Sequence, residues 1–144
     1  MGNFDAVGLL YRHFGYVTED QEEYIPHHIE DAVAGFRIKF LHEEVMELEQ
    51  AYINEDLPGI ADALVDIVVV ALGTAHLHGF PWEELFEEVQ KSNMQKQRPQ
   101  NVQETKISLL KRGSATDLIK PTHWKPPGIY ETLTAHGWKK EDED

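Results

Sequence analysis

The stretch of residues 57–75 constrains the fold most, because Asp62 and Asp66 are its only charged residues. Its three consecutive valines, residues 68–70, would suit a β-strand. The stretch nevertheless continues without turn-forming residues, and about 20 residues is too long for a strand. Residues 58–78 are therefore predicted to form a helix that is apolar nearly all round and buried.

Apolar residues that recur every three or four positions predict another long helix over residues 29–54. The short break after it contains Asp56, which suits an N-cap, and Pro58, which suits a first helical turn. Further helices are predicted over residues 82–96 and 4–14, the latter followed by a loop. The sequence thus predicts an all-α helical bundle in which the two long helices are antiparallel neighbours.

Residues 99–144 differ in composition from the rest of the chain. They contain four of the seven prolines and two of the three tryptophans, without sustained periodicity. These features predict an extended tail that packs on the domain or on a neighbouring subunit. The predicted organisation is a helical domain over residues 1–98 and a tail over residues 99–144.

The formal net charge of −13 argues against binding to a nucleic-acid backbone, and a phosphate-bearing ligand would need cations to mediate the contact. The chain has no cysteine, which excludes disulfides and cysteine-based sites. No glutamate stands three residues before any of the eight histidines, so the E-x-x-H pattern of di-iron bundles is absent. We find no uninterrupted apolar run of about 18 residues and no signal-like start, and expect a cytoplasmic protein without a membrane span.

Five carboxylates are candidates for chemistry. Glu43, Glu44 and Glu47 form an E-E-x-x-E pattern on the first long helix, and Asp62 and Asp66 lie one turn apart on the apolar helix. Burying unpaired carboxylates costs several kcal/mol, so they need protons or cations. On antiparallel neighbouring helices the acids can face one another and offer hard oxygen ligands to Mg²⁺ or Mn²⁺.

Each half of this cluster also has a structural interpretation. The three glutamates alone would suit a solvated helix face. The two aspartates alone would equally suit a salt bridge with Arg37 or Lys39. The combination of both halves on two neighbouring helices favours the metal site.

In these residues the sequence resembles the all-α nucleoside triphosphate pyrophosphohydrolases, which include MazG proteins, dimeric dUTPases and phosphoribosyl-ATP pyrophosphohydrolase. The family's pattern is E-x-x-E followed by E-x-x-D, with all four acids binding Mg²⁺. Glu44 and Glu47 match the first half, and Asp66 matches the last acid. The third acid would fall on Ala63, and Asp62, also about one turn before Asp66, can replace it.

Two later segments resemble a phage and bacterial MazG-like branch of this family. Residues 91–96 are similar to its N-M-x-K segment, which implies that Lys91, Asn93 and Lys96 contact phosphates. A lone lysine at a helix end would otherwise suit a partner for the helix dipole. Residues 120–127 are similar to the branch's C-terminal ending.

The resemblance implies a Mg²⁺-dependent hydrolase, with two or more ions per site, that converts a nucleoside triphosphate to its monophosphate and pyrophosphate. A purine nucleotide such as (d)GTP is favoured as the substrate, Mn²⁺ is an alternative ion, and a phage-encoded member would act in the host cytoplasm. The resemblance and the apolar helix both imply a homodimer or homotetramer.

The implied roles of the acids are not all alike. Glu44, Glu47, Asp62 and Asp66 are assigned as metal ligands, and Glu43 and Glu44 as the candidates for catalysis. Candidates for stacking on or hydrogen-bonding to the base are Phe36, Arg37 and Trp124. The competing function is a non-catalytic helical assembly protein whose acids form structural salt bridges.

Overall fold

A computed structural model describes residues 1–20 and 24–140 of the chain, and within these it contains six α-helices and no β-strand. The helices are α1 (Asn3–His13), α2 (Asp31–Ile53), α3 (Leu57–Leu77), α4 (Trp82–Met94), α5 (Val102–Arg112) and α6 (Ile129–Ala135). The predicted all-α fold is confirmed. The ends of α1 to α4 lie within two residues of their predicted positions.

A tight turn joins α2 to α3 and makes them neighbours. Asp56 is the N-cap of α3, and its Oδ1 accepts a hydrogen bond from the backbone N–H of Gly59 at 3.0 Å. A Cβ atom at residue 59 would lie 2.8 Å from the Asp56 Cγ, so this cap requires a glycine there. Glu55, which lies in this turn, has a positive φ of 53°. Helix α3 then packs along α2 and, on another face, against α1.

The chain divides into two compact units. The first unit consists of Met1–Trp82 and Leu133–Asp144, of which the structure describes residues 1–20, 24–82 and 133–140. The second unit is Glu83–Thr132, which contains α5 and most of α4 and α6. This division differs from the predicted one, which placed a single boundary after residue 98.

The core of the first unit lies between α1 and α3. It consists of the buried side chains of Val7, Tyr11, Val17 and Leu72, with Phe4, Val69, Leu77 and Trp82 packed around them. The ring of His76 on α3 stacks on Phe4 with the centroids 3.7 Å apart. These contacts fix α1 across the middle and the C-terminal half of α3.

Helix α3 is less buried within one chain than its composition predicts. Ala63, Val70, Leu72, Gly73, Ala75 and His76 are buried, whereas Leu57, Leu64, Val65 and Val68 are exposed. The first group faces α1 and α2, and no other described element covers the second group. By length and mean hydropathy (1.8) the helix would also be able to span a membrane, as core helices of globular proteins often would. Asp62 and Asp66 interrupt this stretch, so it contains no uninterrupted apolar run of 18 residues.

The stretch predicted as an extended tail contains two helices, α5 and the short α6. Asn101 caps α5 through its Oδ1, which accepts from the Glu104 N–H at 2.8 Å, and Gly113 ends it in the left-handed conformation with φ 69°. Only Ser108 of this helix is buried. Helix α5 therefore has no buried apolar stripe, and a prediction that relies on the spacing of apolar residues could not detect it.

Candidate metal centre

Three carboxylates from two helices meet on the first unit. Glu44 and Glu47 lie one turn apart on α2, and Asp66 lies on the facing turn of α3. One oxygen from each lies within 4.8 Å of the other two. The antiparallel packing set by the α2–α3 turn produces this convergence, as the sequence predicted.

The electrostatics of this cluster are dominated by Glu44. Its partial burial raises the pKa of the Glu44 carboxyl above the usual value, and the nearby charges of Glu47, Asp66 and Asp62 raise it further. One carboxylate oxygen of Glu44, Oε2, is buried and has no hydrogen-bond partner. The cluster thus holds an unsatisfied buried oxygen and a concentration of negative charge that a cation would relieve.

No basic side chain supplies that cation within the described residues. No Lys, Arg or His nitrogen lies within 4.0 Å of these three carboxylates. Arg37, proposed from the sequence as a partner for the aspartates, instead donates hydrogen bonds to Thr74 Oγ1 and the Val70 carbonyl, both at 3.0 Å. It also donates to the hydroxyl of Tyr11. Arg37 is therefore not the salt-bridge partner of Asp62 or Asp66. Among the described residues, Lys39 does not form a salt bridge with either aspartate.

The donor set fits a hard divalent cation. Carboxylate oxygens are the ligands that Mg²⁺ and Mn²⁺ prefer, and three of them here converge from rigid helices. The unpartnered Oε2 of Glu44 is the kind of atom that metal coordination satisfies. The cluster is therefore compatible with divalent metal binding.

The two remaining predicted acids lie at the edge of this cluster. Asp62 is exposed one turn before Asp66, outside the group of three converging oxygens, and acts on Glu44 through its charge. Ala63, where the family pattern has its third acid, is only 3% exposed. Glu43 is exposed and does not belong to the converging group.

An apolar pocket of about 580 Å³ adjoins α2 in the first unit. Phe36, Arg37 and Phe40 line it from α2, and Tyr11 and Tyr16 from the α1 side. Phe40 lies one turn before Glu44, so the pocket continues along the same helix as the acids. Two of the three predicted base-binding residues therefore line one pocket, although three donors of Arg37 are already used within the protein.

The predicted phosphate-binding residues belong to the second unit. Lys91 forms an ion pair with Glu88 at 3.2 Å, and this pair and the Gly128 N–H lower the pKa of the Glu88 carboxyl, with the Gly128 bond as the larger cause. Asn93 is exposed near the end of α4. Lys96 follows α4, with its Nζ 6.0 Å from the ring centroid of Trp124.

A second lysine lies near this ring, and the sequence analysis did not identify it. The Nζ of Lys120 lies 4.3 Å from the same Trp124 ring. The only sequence signal was its position in the segment 120–127 that resembles the MazG-like ending.

Comparison with known proteins identifies the family of the chain. The family model for phosphoribosyl-ATP pyrophosphohydrolase matches residues 9–93, more than half of the chain. The match includes all five candidate acids together with Lys91 and Asn93, and ends before Lys96. A search of curated proteins found no match. The chain belongs to the phosphoribosyl-ATP pyrophosphohydrolase family, within the all-α MazG-like superfamily, and is a hydrolase of phosphoanhydride bonds in a nucleotide-like substrate.

Proposed function

We propose that the protein is a Mg²⁺-dependent nucleoside triphosphate pyrophosphohydrolase that releases pyrophosphate and a nucleoside monophosphate. The observation that supports this most is the convergence of Glu44, Glu47 and Asp66 around a buried oxygen that has no partner. A substrate with four negative charges approaches an acidic chain of net charge −13 only with cations between them. Two or more Mg²⁺ ions, or Mn²⁺, are therefore part of the proposal, and the cytoplasm is the proposed location.

The proposed roles follow the geometry of the helices. Glu44, Glu47 and Asp66 hold the ions, and Asp62 joins them from one turn earlier on α3. Bound Mg²⁺ supplies positive charge to the phosphate oxygens and increases the acidity of water. Glu43, exposed beside the cluster, accepts the proton of the water that attacks the α-phosphorus, with Glu44 as the alternative base.

The remaining residues are proposed to position the substrate. Lys91, Asn93 and Lys96 contact its phosphates, and Trp124 contributes to substrate binding. The aromatic pocket on α2 has the volume and the lining that suit a nucleobase. Phe36 is more than half exposed and available for stacking on a nucleobase. The proposed base is a purine, such as that of (d)GTP.

The family match supports a second candidate substrate. Phosphoribosyl-ATP carries the same triphosphate and an adenine base, and the matched family model bears its name. The competing non-catalytic function would keep the acids as a structural feature. Both alternatives can be tested with the same assay.

The test is pyrophosphate release from a panel of ribo- and deoxyribonucleotides and phosphoribosyl-ATP, with Mg²⁺ and after metal removal. We expect metal-dependent release from at least one purine nucleotide. Glu44→Gln and Asp66→Asn should each lower kcat by about two orders of magnitude or more. Glu49→Gln removes a charge from an exposed position of α2 and serves as the matched control. Absence of release from every nucleotide would support the assembly protein.

A further inference from the structure

Two ammonium groups are directed at one indole ring in the second unit. The Nζ atoms of Lys120 and Lys96 lie 4.3 and 6.0 Å from the ring centroid of Trp124. The ring is itself fixed, because its Nε1–H donates to the backbone carbonyl of Ser92 at 2.7 Å. Trp124 therefore contacts two lysines from distant parts of the sequence.

The backbone that carries the two lysines is fixed as well. Gln97, next to Lys96, and Ile119, next to Lys120, exchange two backbone hydrogen bonds of 3.0 and 2.8 Å. The buried hydroxyl of Ser92 donates to the Lys125 carbonyl at 3.0 Å. Both lysines are thus arranged without a ligand, and binding would not have to order the backbone.

The segment that carries this cluster is locally basic, although the unit as a whole contains eight Lys and Arg against seven Asp and Glu. Residues 91–125 contain eight Lys and Arg but only two acidic residues. Glu104 accepts hydrogen bonds from the Gln100 backbone and the Gln97 side chain, and Asp117 pairs with Arg112. In the part of the chain that the structure describes, no carboxylate lies within 4.0 Å of either lysine of the cluster. Two lysines near one ring, neither of which has a carboxylate partner among the described residues, favour an anionic ligand.

We propose that Lys96 and Lys120, aligned by Trp124, form a binding site for the diphosphate or triphosphate group of a nucleotide. Lys120 and the aligning role of Trp124 are new in this assignment. The identification of the anion as a polyphosphate rests on the proposed function. Two cations on one ring favour a ligand with several phosphates over a monophosphate, because each phosphate can meet its own ammonium group.

Binding is measured by calorimetry with inorganic pyrophosphate, in metal-stripped buffer of low ionic strength. Without metal, the acids of the first unit do not bind the anion, so the signal reports the lysines. We expect saturable binding that is tighter for pyrophosphate than for inorganic phosphate. Lys96→Gln and Lys120→Gln should each raise the dissociation constant about tenfold or more. The control is Lys106→Gln, which removes the same charge from α5 and should change the constant less than about twofold.

The role of Trp124 requires a variant that leaves the charges in place. Trp124→Leu should weaken pyrophosphate binding although both lysines remain, and Trp124→Phe should restore part of it because an aromatic ring is retained. In nuclear magnetic resonance spectra, added pyrophosphate should shift the indole N–H signal of Trp124 more than those of Trp82 and Trp138. Circular dichroism of each variant verifies that the total helix content is retained.

The outcomes separate this site from the proposed function. The proposed site would be wrong if Lys120→Gln and Lys106→Gln changed the dissociation constant for pyrophosphate equally, or if pyrophosphate did not bind. Either result would count against the site even if the protein hydrolyses nucleotides. Binding that depends on Lys96 and Lys120 in a protein without hydrolase activity would support the site and reject the proposed function. Tighter binding of a single-stranded oligonucleotide than of pyrophosphate would assign the lysines to nucleic acid and overturn the proposal.

Discussion

Arg37 has a structural role that its sequence context does not reveal. Its guanidinium joins three helices, with hydrogen bonds from α2 to Tyr11 on α1 and to Thr74 and Val70 on α3. Gly73 makes this arrangement feasible, because a Cβ atom there would overlap the Tyr11 hydroxyl. Any contact of Arg37 with a base would therefore come from a side chain already fixed by the fold.

Asp66→Asn distinguishes a metal cluster from a structural ion pair. The charge of Asp66 helps to raise the pKa of Glu44, so removing that charge should leave the metal-free protein equally stable or more stable. Stabilisation by Mg²⁺ should become smaller. Thermal melts of both proteins with EDTA and with Mg²⁺ measure these effects, with Glu49→Gln as the control. If the free energy of unfolding of Asp66→Asn in EDTA were about 3 to 5 kcal/mol lower than that of the wild type, Asp66 would instead belong to a buried ion pair.

His76 couples the packing of α1 to pH. Its Nε2 lies 2.7 Å from the Phe4 carbonyl and its ring stacks on Phe4. Burial lowers the pKa of His76, the Phe4 carbonyl opposes this, Arg12 lowers the pKa further and Asp5 raises it. The folded protein thus keeps His76 neutral at a pH where the unfolded chain already protonates it.

His76→Phe tests this coupling. The unfolded state binds a proton at His76 more readily than the folded state does. The contribution of His76 to the free energy of unfolding is therefore fully present above pH 6.5, and it is lost as the pH falls toward the lowered pKa of the folded protein. The phenylalanine retains the ring contact but cannot titrate. Because the hydrogen bond to the Phe4 carbonyl is lost, the free energy of unfolding should fall by about 1 kcal/mol at neutral pH. Urea denaturation between pH 7.5 and 5 should show the stability advantage of wild type narrowing as the pH falls. A constant or widening difference would contradict the assignment.

Among the elements, α5 depends on its ends more than on its packing. Ser108 is its one buried residue, and its Oγ donates to the carbonyls of Ser114 and Asp117 at 2.6 and 3.1 Å. The exposed side chains of Val102, Leu109 and Leu110 contribute little burial. The caps at Asn101 and Gly113 therefore carry an unusual share of the stability of this helix.

Asn101→Ala should destabilise α5 by about 1 kcal/mol, because the Glu104 N–H loses its acceptor. Asn101→Asp is the matched control, since it retains the acceptor and places a negative charge at the helix N-terminus. Hydrogen exchange of the α5 amides reports the local effect. Equal protection in the alanine and aspartate variants would show that the cap is unimportant.

The contrast between α3 and α5 shows which elements the sequence predicts. Helices α1 to α4 were predicted because apolar spacing and turn residues are local signals. Helix α5 has caps but no apolar stripe, so the same procedure predicted an extended tail. Local signals also predicted that Glu44, Glu47 and Asp66 lie close together. A turn of three residues joins α2 to α3, and so short a turn requires the two helices to pack antiparallel.

Contacts between distant segments could not be predicted in this way. Arg37 meets Tyr11 only because α1 packs on α3. Lys96 and Lys120 meet at Trp124 because a backbone bridge and the hydrogen bonds of Ser92 join their segments. No spacing in the sequence encodes these pairings.

At the scale of the whole molecule, charge is divided unequally between the units. Residues 83–132 contain eight Lys and Arg against seven Asp and Glu, whereas the rest of the chain contains five against nineteen. The proposed cation site and the proposed polyphosphate site therefore lie in units of different charge.

The exposed apolar face of α3 predicts that the protein is not a monomer in solution. Leu57 and Val65 are 73% and 61% exposed, and Val68 is also open to solvent. Leaving such a face in water is unfavourable by about 25 cal/mol per Å², which pairing with a second copy would recover. Light scattering at micromolar concentration should give at least twice the chain mass of 16.5 kDa.

A double variant locates the interface on α3. Val65→Gln combined with Val68→Gln removes apolar surface without adding charge beside Asp66, and should shift the protein toward the monomer mass. Leu110→Gln is the matched control, because Leu110 is 87% exposed on α5 and its replacement should leave the mass unchanged. A wild-type mass of 16.5 kDa would refute the prediction of an oligomer. An unchanged mass of the double variant, with helicity retained, would place the interface elsewhere than this face of α3.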